Sequence, residues 1–131
     1  MSIVTEVPPA PSAAALAHFQ SSLAFETDCW DVHHSLHCGE PDFVLLDVRG
    51  SEKFAAGHVP GAVDMAQRKI IGSRLEQFSP GTLFVTYCAG PHCNGAARAA
   101  IRLAKLGKPV KMMAGGVTGW IDEGFALATG A

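Results

Sequence analysis

The feature that most limits the fold of this chain is a pair of short apolar runs, Phe43-Val44-Leu45-Leu46-Asp47-Val48 and Leu83-Phe84-Val85-Thr86-Tyr87. A strand with one wet face alternates apolar and polar residues, whereas a run without alternation is covered on both faces, as in a parallel sheet between helices. The intervening and following sequence supplies the helices. Ser51 caps a short one over Glu52 to Ala56 that Gly57 stops, and Pro60-Gly61 turns the chain into a short strand around Ala62 to Met65. Another short helix covers Arg74 to Phe78, and a longer one runs from Gly95 to Leu106 with Gly107 as its stop. A strand at Val110 to Met113, a Gly115-Gly116 break and a last helix, Val117 to Glu123, complete an alternating pattern. The fold class is α/β in three layers, a central parallel sheet of about five strands with helices on both faces.

Upstream of this pattern, residues 1–11 hold three prolines and no periodicity, as an extended arm would. Ser12 then caps a helix from Ala13 to about Leu23, with Leu16, Phe19 and Leu23 at helical spacing. Thr27 or Asp28 caps the next helix, which carries Trp30, Val32 and Leu36 and ends at Gly39. The division expected is an N-terminal arm and helix at 1–26 and one domain at 27–131. With 131 residues, 48% hydrophobic and 17% charged, the chain has enough apolar sequence for one core. A net charge of −2 gives no general attraction to nucleic acid or to an anionic membrane. No apolar run approaches the roughly 20 residues of a membrane span, and Met1 to Gln20 lacks the basic start of a signal sequence. A cytoplasmic location follows as the expectation. Four cysteines, Cys29, Cys38, Cys88 and Cys93, are expected as reduced thiols, because a chain of this size needs no disulfide staple.

Chemistry concentrates in one loop. Ligands of α/β sheets bind beyond the carboxyl ends of strands, where loops lead into helix N-termini. Cys88 stands at such a place, and Ala89, Gly90, Pro91, His92, Cys93, Asn94 and Gly95 join it to the helix that follows. Two glycines let backbone amides turn toward one point, and amides together with the positive helix end favour an anion there. A cysteine in that setting has a lowered pKa and acts as a nucleophile at neutral pH. Cys88 follows the strand directly, so the succeeding amides can wrap its sulfur, whereas Cys93 has only Asn94 and Gly95 before the helix begins. Cys93 can still reach Cys88 across the loop and trap an oxidised form of it. The plain alternative for Cys88 is a buried structural cysteine at a strand end.

Three segments add a resemblance. Asp47-Val48-Arg49, Glu52 and Gly57-His58-Val59-Pro60-Gly61-Ala62 resemble the first signature of rhodanese-like domains. Ala114-Gly115-Gly116-Val117-Thr118-Gly119-Trp120 with Glu123-Gly124 is similar to their closing segment, and Tyr87-Cys88 falls between, where that family keeps its catalytic cysteine. The resemblance implies a rhodanese-like fold and a sulfurtransferase that needs no cofactor. A sulfur donor such as thiosulfate loads Cys88 as a persulfide, and cyanide, a small thiol or a protein thiol accepts the sulfur. Asp47, Arg49 and His58 are implied as supporting residues, and Arg98 as a source of positive charge for the loop. The rival reading is a non-catalytic rhodanese-like module that binds a partner or senses redox state.

The loop departs from that family's sulfurtransferases in running longer and holding no arginine or serine. Phosphatases and arsenate reductases on the same scaffold close the loop on an arginine that clamps an oxyanion; here Asn94 stands at that place, which argues against a phosphatase. His33, His34, His37 and Cys38 have i, i+4 pairings, but without a second ligand pair they read as a solvated helix face rather than a metal site. Cys88 and Cys93 likewise lack the further ligands that zinc needs.

Overall fold

The structure is a computed structural model that describes residues 1–131. Its helices are α1 (Ile3–Glu6), α2 (Ser12–Phe25), α3 (Cys29–His37), α4 (Ser51–Ala56), α5 (Gly72–Leu75), α6 (Gly95–Lys105) and α7 (Gly116–Asp122). Its strands are β1 (Glu26–Asp28), β2 (Val44–Asp47), β3 (Val63–Asp64), β4 (Phe84–Tyr87) and β5 (Val110–Ala114). They form one parallel sheet in the order β1-β5-β4-β2-β3. The two apolar runs lie side by side at its centre, with Val44 opposite Phe84 and Asp47 opposite Tyr87. No helix is long and apolar enough to cross a membrane.

Strand periodicity divides the core into two layers. From β4, Phe84 and the following Cys88 pack with Leu46 of β2 against Ala96, Ala99 and Leu103 of α6 and Leu75 of α5. Val85 and Tyr87 point the other way, with Leu45 and Met113, against Cys29 and Val32 of α3 and Trp120 of α7. Every residue of β4 is buried, so the absence of alternation in its sequence reflects cover on both faces. Thr86 is the polar exception, and its hydroxyl donates to the Ala96 carbonyl at 3.0 Å, tying the first turn of α6 to the strand.

Several local expectations are corrected. The segment Glu26-Thr27-Asp28 is a strand as well as a helix lead-in: β1 pairs with β5 at the sheet edge, and Asp28 also caps α3 by accepting from the Asp31 amide at 2.8 Å. Its polar sequence hides the strand because an edge needs little apolar side chain. The proline-rich arm contains the single turn α1, held by a reciprocal Ser2–Thr5 capping box. Ser12 and Ser51 are first helical residues rather than caps; Pro11 and Gly50 occupy the cap positions. The helix expected over Arg74 to Phe78 lies earlier, at Gly72–Leu75. On α2, Leu16, Phe19 and Leu23 stay exposed, so their helical spacing does not mark a core face.

Candidate active site

Cys88 follows β4, the central strand, and is 7% exposed at the carboxyl end of the sheet. It lies on a cavity of about 210 Å³ that Gly90, Pro91, Cys93 and Ala96 also line, with Glu26 and the Met112–Gly116 stretch forming the opposite wall. A second cavity of about 370 Å³ lies outside the loop, lined by Ala89, Gly90, Pro91, His92, Cys93 and Thr118. Cys88 touches only the inner cavity, whereas Cys93 lines both.

The loop is held from two sides. The first turn of α7 donates amides to the loop carbonyls, Val117 N–H to Cys88 at 3.1 Å and Thr118 N–H to Ala89 at 2.9 Å. The Thr118 hydroxyl reinforces the second contact at 3.1 Å. This approach requires glycine at position 116: its φ is +58°, and a Cβ there would lie 2.5 Å from the Cys88 carbonyl oxygen. On the other side α6 begins so close to the loop's first cysteine that a Cβ on Gly95 would lie 2.9 Å from Cys88 Sγ. The opening amides of a helix have no intrahelical acceptor and carry its positive dipole end, so an anionic sulfur is favoured at this spot.

Two expectations about the cysteines change. Reduced thiols were the expectation from chain size, but the structure joins Cys88 to Cys93 in a disulfide, Cα atoms 6.4 Å apart, and leaves Cys29 and Cys38 free. A tight turn, Cys93 N–H to the Gly90 carbonyl at 3.1 Å, folds Cys93 back over the loop. The amide directed at sulfur is Gly95 N–H, and it reaches Cys93 Sγ at 3.4 Å, so Cys93 is not excluded from the helix-end environment. Cys93 is exposed where Cys88 is buried. Cys29, packed against Gly115 and Gly119, donates to the Ala114 and Gly116 carbonyls, each at 3.5 Å. Burial, with Asp28 and Glu123 nearby, pushes its thiol up from the ordinary 9.0 to about 11, so it remains protonated at neutral pH.

Asp47 and Arg49 lie outside both cavities and brace the sheet. Asp47 is fully buried; Arg49 Nη2 donates to its Oδ2 at 2.7 Å, and Nε donates to its Oδ1 at 3.0 Å. Arg49 also donates to the Gly57 carbonyl at the end of α4. The hydrogen bond that the guanidinium donates to Asp47 holds its pKa above the usual range. Tyr87 donates to Asp47 Oδ2 at 2.7 Å and accepts from the Val59 amide at 3.1 Å, and burial drives its phenol pKa up. His58 stacks on Phe54 and contacts the Phe54 carbonyl through Nδ1 at 2.8 Å, while its backbone pairs with Ala128. It positions the chain end rather than the cavity. Arg98 is exposed on α6 and lines neither cavity, so it supplies no charge to their walls. Sequence reasoning missed Glu26, Met112 and Met113 as cavity walls; the Ala114-Gly115-Gly116 motif signalled their neighbourhood, whereas nothing in the sequence singled out Glu26. The His33, His34, His37 and Cys38 cluster makes no group of three or more ligands able to hold a metal.

Comparison with known proteins agrees with this architecture. The Rhodanese-like domain profile matches residues 31–123. The BH2092 protein of Bacillus halodurans superposes with a TM-score of 0.87 at 32% identity, over 91% of this chain and 87% of that one. A thiosulfate sulfurtransferase of Pseudomonas aeruginosa superposes with a TM-score of 0.65 at 27% identity, over 82% of this chain and 20% of that one. The HTH-type transcriptional regulator Rv0324 of Mycobacterium tuberculosis is 33% identical over 91 residues, 69% of this chain; the chain spans only 39% of that relative's length. With a profile match over most of its length and a five-stranded parallel sheet that places Cys88 at the end of the central strand, the chain belongs to the rhodanese-like domain family.

Proposed function

We propose that the chain is a sulfurtransferase that carries sulfane sulfur as a persulfide on Cys88. The observation that carries this reading is the position of Cys88 Sγ, at the end of β4, against the first residue of α6 and on the wall of a cavity. There the positive end of α6 favours a thiolate, which attacks the outer sulfur of a donor. With thiosulfate, the bond between the two donor sulfurs breaks, sulfite leaves with the electron pair, and Cys88 keeps the sulfur. Cyanide, a small thiol or a protein thiol then removes it. The inner cavity has Glu26 as its only charged wall residue, so no cationic side chain on its wall pairs with an anionic donor. A thiol-rich compartment such as the cytoplasm suits this cycle.

A second reading, a module that binds a partner or senses redox state, draws on the Cys88–Cys93 disulfide and on the relative named as a transcriptional regulator. Incubating the reduced protein with thiosulfate and cyanide separates the two. Transfer yields thiocyanate and a mass gain of one sulfur, both lost in Cys88→Ala. Absence of both with several sulfane donors selects the binding module.

A further inference from the structure

We propose that Cys93 resolves the Cys88 persulfide inside the loop, so that the protein releases the transferred sulfur as hydrosulfide and stores the oxidation as the Cys88–Cys93 disulfide. The inference rests on Cys88 being the persulfide carrier and adds to it an internal acceptor and a product. The fold accommodates the bond that the step forms, since the structure joins the two cysteines across a Cα separation of 6.4 Å. A thiol held this close competes with any acceptor arriving from solution, because its effective concentration is set by the loop and not by the medium. Gly95 N–H, the first amide of α6, points at Cys93 Sγ from 3.4 Å and favours its thiolate.

The step balances without an outside reagent. Cys93 thiolate attacks Cys88 Sγ, the inner sulfur of the persulfide. The Cys93–Cys88 bond forms as the bond to the outer sulfur breaks, and the electron pair leaves on that sulfur, which takes a proton and departs as hydrosulfide. The sulfane sulfur gains the two electrons that the cysteine pair gives up. A dithiol reductant then restores the pair, and the arrangement sets where it enters. Cys88 is 7% exposed and faces only the inner cavity, whereas Cys93 is exposed and lines the outer one. The reductant therefore attacks Cys93 from the outer cavity, and Cys88 leaves as the thiolate beside the helix end, ready for the next donor.

The test uses the full chain, reduced, freed of reductant and kept without oxygen, with thiosulfate and in parallel with glutathione persulfide. Sulfite or glutathione reports loading of Cys88, sulfide reports resolution, and intact mass reports the end state. Wild type should release one sulfide per chain with no added thiol, finish two hydrogens lighter than the reduced protein, and resume turnover when dithiothreitol is added. Cys93→Ser and Cys93→Ala should take one sulfur and keep it, with sulfide release slowed by about 100-fold or more. Loading followed by retention of the extra sulfur in wild type overturns the inference while leaving the Cys88 persulfide intact. Movement of the sulfur to Cys93 without sulfide release overturns it as well. If neither protein loads with either donor, the persulfide reading itself fails and takes the inference with it.

Discussion

Replacing Gly95 by alanine should separate sulfur chemistry from stability. The added methyl would sit 2.9 Å from Cys88 Sγ, 3.4 Å from Cys93 Sγ and 3.6 Å from Cys88 Cβ. Carbon and sulfur rest at a separation near or above the 3.5–4.0 Å of carbon pairs, so the Cys88 sulfur must retreat by roughly 0.6–1 Å. The backbone offers no objection, because Gly95 is the first residue of α6 and its φ is not positive. Helix propensity favours alanine over glycine by up to about 1 kcal/mol, which offsets the local crowding. Global stability should thus change by about 1 kcal/mol or less. Displacement of a nucleophile by about 1 Å can lower a reaction rate by about 100-fold. Single-turnover loading with thiosulfate, read as a sulfite burst and a gain of one sulfur, should slow by that order while the thermal midpoint moves by a few degrees or less. Wild-type loading by Gly95→Ala would refute the placement of Cys88 Sγ against α6. A collapsed melting transition would refute the claim that the crowding is local.

Asp47→Asn leaves the Arg49 guanidinium buried beside a neutral partner and should cost about 3 kcal/mol, seen as a fall of about 1–2 M in the urea midpoint, while the folded variant still loads sulfur. An unchanged midpoint would show that the Asp47–Arg49–Tyr87 network does not brace the sheet. Cys29 gives a pH dependence. Its folded pKa is raised from 9.0 to about 11, so the folded state holds its proton more tightly, and the stability this contributes is full below pH 9 and lost as pH rises through about 11. That component of the alkaline loss should be missing in Cys29→Ser, and denaturant titrations at pH 8 and pH 10.5 that fall equally in both proteins would contradict it.

The legible parts of the fold were those where one physical demand dominates a segment. Burial on both faces wrote β2 and β4 as apolar runs, and the switch from apolar run to glycine-containing loop placed Cys88 between a strand and a helix. Where two demands compete, the sequence misleads. Asp28 caps a helix and also ends an edge strand, and only the cap leaves a residue signature. The apolar series on α2 has helical spacing but meets no core. The walls of the inner cavity come from β1 and β5, far from the loop in sequence, so Glu26 and Met112 join the site through strand order alone. The cysteine pairing depends on the Gly90–Cys93 turn, which spacing permits but does not impose.

The anchoring of the Cys88 and Ala89 carbonyls by Val117 and Thr118 has a consequence for the order of events during synthesis. Cys88 leaves the ribosome before its strand neighbour β5 and before the helix that fixes its loop, and β1, made early, has no partner until β5 emerges. Parallel sheets with distant pairings assemble late for this reason. A nascent chain arrested short of Val117 therefore lacks both amides that hold the Cys88 loop, and the loop is fixed only when α7 closes against it.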